Sequence, residues 1–322
     1  MISWLARRLI QAVAVVLAMT VIVFIGVNVI GDPVAVLLPP DAGEDERLRV
    51  IAAFGLDRPL WEQYFSFLGG ALRGDLGRSF VFSEPALTVI LQRMPATLEL
   101  AIAAMLLAVL IGVPLGLYAG VRPNSRGAKA LMAGSILGFS LPTFWVGLVM
   151  IMVFSVQLGW LPAGGRGQTA ELFGMHWSLL TADGLRHLAL PALNLALFKI
   201  SLVMRLVRAE TREVVPQDYI RTARAKGLAE GAVIRHHVLK NTLIPVVTIV
   251  GLEFGSVIAF SVVTETIFSW PGMGKLIIDS IHLLDRPMIV AYLMVIVVLF
   301  VLINLIVDLL YTVLDPRVRL EN

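Results

Sequence analysis

Six long apolar segments constrain this chain more than any other feature of its sequence. Each is long enough to cross the hydrocarbon core of a bilayer as a helix, which takes about 20 apolar residues. The segments are 9–30, 100–121, 130–158, 187–207, 243–269 and 288–314. Hydrophobic residues make up 58% of the chain and charged residues only 15%, whereas soluble proteins carry about 25% charge. The sequence therefore predicts an all-α membrane protein with six transmembrane helices.

The distribution of Lys and Arg predicts which side of the membrane each loop faces. Cytoplasmic loops are enriched in these residues, and most of them lie on the side that carries both termini. We therefore expect both termini in the cytoplasm, together with the basic loop near residue 218. Arg7 and Arg8 precede the first segment as they would in a signal peptide. No small-residue cleavage site follows that segment, so we expect an uncleaved anchor.

Two charged residues lie deep inside predicted spans. Lys199 and Glu253 fall at comparable depths in consecutive segments, and charge in lipid usually faces the interior of a helix bundle. We expect them to pair directly or to line a wet cavity. The alternative is that Lys199 extends its charged end to the membrane surface. Glu99 and Glu265 lie nearer the outer face, where we expect water to reach them.

Glycines at every fourth position predict close packing between helices. Gly112, Gly116 and Gly120 share one face of the second span, and two glycine pairs in the third and fifth spans repeat the spacing. Small residues at this spacing let helix backbones approach closely. Pro142 lies inside the third span and is expected to kink it.

The segment 31–95, between the first two spans, is predicted on the outer side. Within it, Pro59 suits the first turn of a helix, and Leu60, Tyr64 and Phe67 share one face of that helix. We expect an amphipathic helix that lies on the outer surface or covers the outer mouth of the bundle. The alternative is a linker packed on its own bundle.

A polar segment after the fourth span has the pattern of a docking helix. Tyr219, Thr222, Ala223 and Lys226 follow helical spacing, and Gly227 comes next. This pattern predicts a short helix that presents small residues to a partner and then turns sharply.

The sequence lacks the residues that several kinds of catalytic site require. The chain has no Cys, which excludes thiol catalysis and Cys-ligated metals. It also lacks a Walker A sequence for ATP, an HExxH zinc motif and a Gly-x-Ser-x-Gly elbow. His236 and His237 are adjacent and point to different helix faces, so we expect no metal pair there. We therefore expect no catalytic residue, no metal site and no enzyme activity in this chain.

The docking segment, YIRTARAKGL, also carries a family resemblance. It resembles the cytoplasmic EAA loop of ABC importer permeases, in the form found in the dipeptide/oligopeptide/nickel branch. The general motif is Glu-Ala-Ala, three residues, Gly, nine residues and Ile-x-Leu-Pro. Aligned on Gly227, Arg221 stands at the Glu position. Thr222 and Ala223 stand at the two Ala positions, and Lys240 stands at the Pro position; such departures are usual in the peptide branch.

Further motifs extend the resemblance over almost the whole chain, in the family's order. They lie at residues 55–64, 74–79, 93–100, 161–165, 265–274, 304–311 and 315–319. The resemblance implies a type I ABC importer permease fold with an extended outer segment between helices 1 and 2. It also implies an anchor helix and periplasmic segment at 1–92, a permease core at 93–315 and a cytoplasmic tail at 316–322.

The resemblance also implies which partners the chain has and that separate subunits bind ATP. We expect a second, similar permease chain, two ABC ATPase subunits that bind ATP and Mg, a periplasmic or lipid-anchored binding protein, and membrane lipid, all at the bacterial inner membrane. Nucleic acid is not an expected partner, and no cofactor is expected in this chain. The residues implied in contact with an ATPase are Tyr219, Arg221, Thr222, Ala223, Arg224, Lys226 and Gly227.

The implied function is half of the translocation pathway of an ATP-driven importer for di- and oligopeptides. Lys199 and Glu253 are the candidate pathway residues. The same type of complex also imports glutathione-like peptides or nickel chelates, and these substrates stay open. A secondary transporter that works without ATPases is an alternative of a different class; it would place substrate ions at broken helices at mid-depth.

Overall fold

The described part of the chain is mainly helical in the computed structural model. The structure describes residues 2–29, 43–53, 57–172 and 174–314. Expectations that concern residues 30–42, 54–56 and 315–322 lie outside the described residues. Five described helices are long and apolar enough to cross a membrane, and a bent pair of helices makes a sixth span if it counts as one. The all-α membrane class predicted from the sequence is confirmed.

The structure contains twelve α-helices and one β-hairpin among the described residues. The helices are α1 (Ile2–Val29), α2 (Glu44–Ala53), α3 (Leu60–Leu72), α4 (Ala86–Val121), α5 (Arg126–Ser140), α6 (Thr143–Met150), α7 (Ala182–Val214), α8 (Asp218–Ala225), α9 (Glu230–Val233), α10 (Leu239–Ile267), α11 (Met273–His282) and α12 (Arg286–Leu314). π-helical segments continue α6 (Ile151–Gln157) and α9 (Ile234–Val238). A hairpin of β1 (Ala170–Leu172) and β2 (Met175–Trp177), paired antiparallel, leads through a 3-10 turn (Ser178–Leu180) to α7.

The chain divides into two compact units. The first comprises Met1–Gln92 and Ile277–Leu302, and the second comprises Arg93–Leu276 and Ile303–Asn322. These units group segments by packing. The domain boundaries at 92 and 315 that the resemblance implied stay predictions.

In the first unit, the amphipathic helix α3 packs on α1. The Tyr64 hydroxyl lies 2.8 Å from the Thr20 hydroxyl, and the Tyr64 ring meets Phe24 edge to face, with 5.4 Å between centroids. Phe67 also contacts Phe24. Leu60, predicted on the same face, is exposed. This part of the outer segment is therefore packed on a helix of its own unit.

Also in the first unit, the buried side chain of Asp285 joins a loop to the start of α12. Its carboxylate caps the helix by accepting from the Met288 N–H at 3.4 Å. The same carboxylate accepts from the Ser79 hydroxyl and from the backbone N–H groups of Phe80, at 3.2 Å, and Val81, at 3.3 Å. One buried charge thus holds the loop that precedes α4.

Replacing Asp285 with Ala should destabilise the fold. The change leaves the loop N–H groups and the α12 N-terminus without their charged acceptor, which should cost about 2 kcal/mol. Thermal unfolding of the purified chain in detergent measures the effect. Glu84→Ala, which removes an exposed carboxylate from the same loop, is the matched control; an equal loss of stability in both variants would contradict the assignment.

In the second unit, the predicted third span is broken. The sequence predicted one helix over 130–158, but α5 and the helix that begins with α6 meet at 102°. Leu141 is extended (φ −79°, ψ 134°), as steric clash with a following proline requires, and Pro142 has no N–H with which to continue α5. The sequence predicted a kink at this proline; the angle is far larger than a kink.

The glycine face of α4 packs directly on α7. A Cβ on Gly116 would lie 2.6 Å from the Met204 carbonyl oxygen and 2.7 Å from the Val207 Cβ. Gly112 and Gly120 meet α7 one turn away on each side, so the two backbones are in contact over three turns. The close packing predicted from the spacing of these glycines is confirmed.

Gly116→Ala should therefore destabilise the second unit. The added methyl overlaps backbone, which cannot yield without separating α4 from α7, and overpacking of this kind costs about 1–3 kcal/mol. Gly134→Ala in α5 is the control, because a Cβ there meets nothing within 4 Å. The measurement is the melting temperature of each purified variant. Equal melting temperatures would contradict the backbone contact between α4 and α7 at Gly116.

Two carboxylates expected near water are buried. Glu99 is fully buried and forms an ion pair with Arg166 at 2.8 Å. It also accepts from the Ser178 N–H and from the Ser178 hydroxyl at 3.2 Å. The expectation of water access was wrong for Glu99, because the loop that carries Arg166 and the turn after the β-hairpin fold over it.

Glu265 is buried in a different way. Its carboxylate accepts from the Thr97 hydroxyl at 2.8 Å, the Ser261 hydroxyl at 2.9 Å and the Lys275 N–H at 2.9 Å, at the start of α11. Gly272 and Gly274 leave no room for a Cβ beside this carboxylate. A carboxylate at a helix N-terminus is stabilised by the helix dipole. The two glycines therefore make room for the Glu265 side chain at the start of α11.

Candidate functional site

The short helix α8 is held to the second unit by one apolar face. Ile220 and Ala223 are buried, and they pack against Val233 and Val238 in the segment that leads to α10. The residues that pack around this cluster are Leu117, Val214 and Val215. Contacts from both flanking helices and from α4 therefore fix the position of α8.

The opposite face of α8 is exposed. Tyr219 is 44% exposed, and the side chains of Arg221, Thr222 and Lys226 also lie on the surface. Ala223 does not belong to this face, although helical spacing predicted it there; it is buried. A one-residue difference in position turns a helical side chain by about 100°, and the apolar partners of Ala223 come from a later segment.

The end of α8 is a Schellman motif. The Gly227 N–H donates to the Arg224 carbonyl at 2.9 Å, and the Leu228 N–H donates to the Ala223 carbonyl at 3.4 Å. Gly227 has a φ of +80°, which residues with a Cβ rarely adopt. The sharp turn predicted from this glycine is present.

Two of the predicted contact residues have acidic neighbours within the chain. Arg224 forms a bidentate ion pair with Glu230, with N–O distances of 2.7 and 3.0 Å. The pair links the end of α8 to α9. The hydrogen bonds from Arg224 hold the pKa of Glu230 below its ordinary value and raise that of Arg224. The pair is thus present at neutral pH and is lost as the pH falls through the lowered pKa of Glu230. Arg221 lies 3.5 Å from Asp218, and both are exposed.

The second pair of candidate residues joins α7 to α10. The Lys199 Nζ lies 2.5 Å from Glu253 Oε2 and 2.8 Å from the Ser256 hydroxyl. The Lys199 side chain is only 7% exposed and that of Glu253 is 32% exposed. The direct pairing proposed from their depths is present, and Lys199 does not extend away from Glu253. Their place on a pathway stays a prediction.

Exchanging the two charges should restore what either single reversal removes. Lys199→Glu or Glu253→Lys puts like charges beside each other, and breaking a buried pair costs about 3–5 kcal/mol. The double variant regains opposite charges at the same two positions. The thermal stability of the purified chain and its level in the membrane measure the rescue. A double variant no more stable than the single variants would contradict a stabilising interaction between Lys199 and Glu253.

The second unit also contains a cleft between α5 and α7 that the sequence did not predict. It has a volume of about 610 Å³ and lies beside the break between α5 and α6. Its walls are mainly apolar, with polar groups from Ser135, Thr143, Asn194 and Ser201. The available signals were Pro142 and an Asn within an apolar span. Lys199 lies on the side of α7 that faces α10, away from this cleft.

Among the described residues, no group of three or more His, Cys, Asp or Glu side chains is arranged to hold a metal ion.

The spanning helices, with an exposed and firmly held helix between two of them in the sequence, define a polytopic membrane protein. Residues 112–320 match the family described as binding-protein-dependent transport system inner membrane component. Residues 1–101 match the N-terminal part of such membrane components. The chain belongs to this family. It is therefore a multi-pass inner-membrane permease component of a transport system.

Relatives with known names resemble the chain over its whole length. It is 38% identical to a di/tripeptide transport system permease protein of Pseudomonas aeruginosa, over 99% of both chains. It is 39% identical to an oligopeptide transport system permease protein of Bacillus subtilis, covering 99% of this chain and 100% of the relative. A glutathione transport system permease protein of Escherichia coli is 37% identical, over 99% of both chains.

A solved structure has the same fold. The MetNI methionine ABC transporter, in an inward-facing conformation, has a chain that matches with a TM-score of 0.57 and 18% identity. The match covers 72% of this chain and 99% of that one. The type I ABC importer permease fold expected from the resemblance is confirmed.

Proposed function

We propose that this chain is one of two membrane subunits of an ATP-driven importer for short peptides. The observation that carries the proposal is α8, a helix with an exposed polar face and a rigidly packed inner face. Separate ATPase subunits bind ATP and Mg, and α8 docks into a groove of one of them. A binding protein on the opposite side of the membrane delivers the substrate.

The packing of α8 supports a mechanical role. A force on its outer face passes through Ile220 and Ala223 to Val233 and Val238, and from there to α10. The Arg224–Glu230 ion pair also links the end of α8 to α9. Because packed elements move as rigid bodies, a displacement of α8 by an ATPase moves the membrane helices that flank it.

The proposed orientation follows from the charges. The α8 region is the most basic of the loops, which favours the cytoplasmic side for α8 and for both termini. ATP is hydrolysed on that side, so the orientation agrees with docking of an ATPase on α8.

The names of the relatives support a peptide as the substrate. Two of the three named above are peptide permeases, and glutathione is itself a modified tripeptide. A glutathione-like peptide is therefore the second candidate. A nickel chelate is not named among these relatives.

A secondary transporter is the competing class. Its support is the Lys199–Glu253 pair together with the broken third span, since discontinuous helices are common in such transporters. A secondary transporter would need no ATPase, so variants of α8 that keep the fold would leave transport unchanged.

Thr222→Glu tests the docking proposal. It places a charge on the exposed face of α8, where stability should change by less than about 0.5 kcal/mol, yet it should block contact with the ATPase. We expect loss of the ATP hydrolysis that the binding protein stimulates in the reconstituted complex, and loss of co-purification with the ATPases.

Ala223→Glu is the matched comparison. Its carboxylate would enter the buried cluster around Ile220, so we expect the isolated chain to unfold more readily. A normally coupled Thr222→Glu complex would contradict docking through this face. Peptide uptake that persists without any ATPase would favour the secondary transporter.

A further inference from the structure

The helix α3 has a second apolar face beside the one that packs on α1. Trp61 and Phe65 are each 62% exposed, and Leu72 is 82% exposed. At 100° per residue, these three side chains lie within about 40° of one another around the helix axis. They adjoin the face that carries Tyr64 and Phe67. Large apolar side chains that are exposed as a group mark an interaction surface.

The remaining side of α3 is polar or small. Glu62, Ser66, Gly69 and Gly70 lie opposite the two apolar faces. The helix therefore has one wide apolar side, half of which packs on α1, and one polar side. A helix with Trp, Phe and Leu on one side and polar residues on the other is typical of helices that lie in the plane of the membrane interface.

The contact with α1 sets the depth of α3. The membrane span of α1 ends at Gly26. At 1.5 Å per residue, Thr20 lies about 9 Å and Phe24 about 3 Å inside that end. Tyr64 contacts both residues. Interfacial helices bury their apolar side about 5–10 Å into the boundary between head groups and acyl chains, which is the depth that these contacts give to α3.

The hydrogen bond between Tyr64 and Thr20 requires no water at this depth. Thr20 is buried, and its hydroxyl donates to the Leu17 carbonyl at 2.7 Å, so the Tyr64 hydroxyl is the donor to Thr20. Beside this contact, Val21 and Ile25 of α1 are exposed. They lie on a helix that crosses the membrane, so the exposed face of α3 continues an apolar surface that lies within the bilayer.

The loop between α3 and α4 brings further apolar side chains to the same membrane boundary. The N–H groups of Phe80 and Val81 donate to Asp285, one residue before the span of α12, which begins at Arg286. The side chains of Phe80, Val81 and Phe82 are all exposed. Because α4 begins on the side of the membrane on which α1 ends, this loop and α3 lie at the same boundary.

We infer that α3 is an in-plane anchor whose exposed apolar face binds the outer leaflet of the phospholipid bilayer. The Trp61 ring lies among the head groups, as is common for Trp in membrane proteins, and Phe65 and Leu72 contact acyl chains. Glu62 and Ser66 face water. A water-soluble partner would have to enter the lipid to the depth of α3 to cover the same face.

The anchor also acts on α1. Because α3 is packed on α1 and hydrogen-bonded to it, the preference of α3 for the interface resists movement of α1 along the membrane normal. The choice of the outer leaflet follows from the orientation proposed for the termini. This role is independent of which peptide the importer carries.

The test places a fluorescent probe on each side of α3. The native chain has no Cys, so Phe65→Cys and Ser66→Cys each give this chain a single thiol for bimane. The complete importer, assembled with partner subunits freed of Cys, is reconstituted in phosphatidylcholine liposomes that contain nitroxide-labelled acyl chains. We expect the nitroxide lipid to quench bimane several-fold more strongly at position 65 than at position 66. Iodide in the water should give the opposite order.

Leu72→Cys repeats the measurement at the other end of the same face. It controls for the ring contact between Phe65 and Tyr64, with 5.7 Å between centroids, which Phe65→Cys removes. We expect position 72 to behave as position 65 does.

Three results would overturn the lipid contact. One is equal quenching by the nitroxide lipid at positions 65, 66 and 72. Another is weak quenching at positions 65 and 72 by both the lipid and iodide, because a protein would then cover this face. The third is a loss of lipid quenching when the binding protein is added, which would assign the face to that protein. Peptide uptake by the same liposomes tests the proposed function separately.

Discussion

The contact between the backbones of α4 and α7 is the interaction on which the second unit depends. Three glycines spaced by one turn remove the side chains that would separate the two helices. Every candidate site is attached to α7. Lys199 and Asn194 reach from it to α10, and its last turn leads into α8. A wider spacing between α4 and α7 would therefore displace all of these features at once.

The ion pair adds a rotational constraint to this contact. Turning α7 about its axis would separate Lys199 from Glu253 and leave a charge without a partner in an apolar environment, which is costly. The hydrogen bond from Asn194 to Thr264 opposes the same rotation. Two side-chain contacts with α10 thus fix the rotational position of α7.

Much of this architecture could be predicted from local sequence patterns. The spans follow from runs of apolar residues, and the contact of α4 follows from the spacing of its glycines. The Lys199–Glu253 pair follows from two charges at similar depth. The angle at Pro142, the burial of Glu99 and the inward direction of Ala223 could not be obtained in this way. Each depends on residues distant in sequence, such as Arg166 for Glu99, and local periodicity contains no information about them.

The shortness of α8 has a consequence for assembly. A helix of eight residues has too few internal hydrogen bonds to persist alone in water, where about 12–15 residues are already marginal. It exists as a helix because Val233 and Val238 cover its apolar face and because Gly227 closes its end. The exposed face of α8 therefore forms only once the segments that cover its apolar face have packed against it. The docking proposed for α8 thus requires a subunit that is already folded.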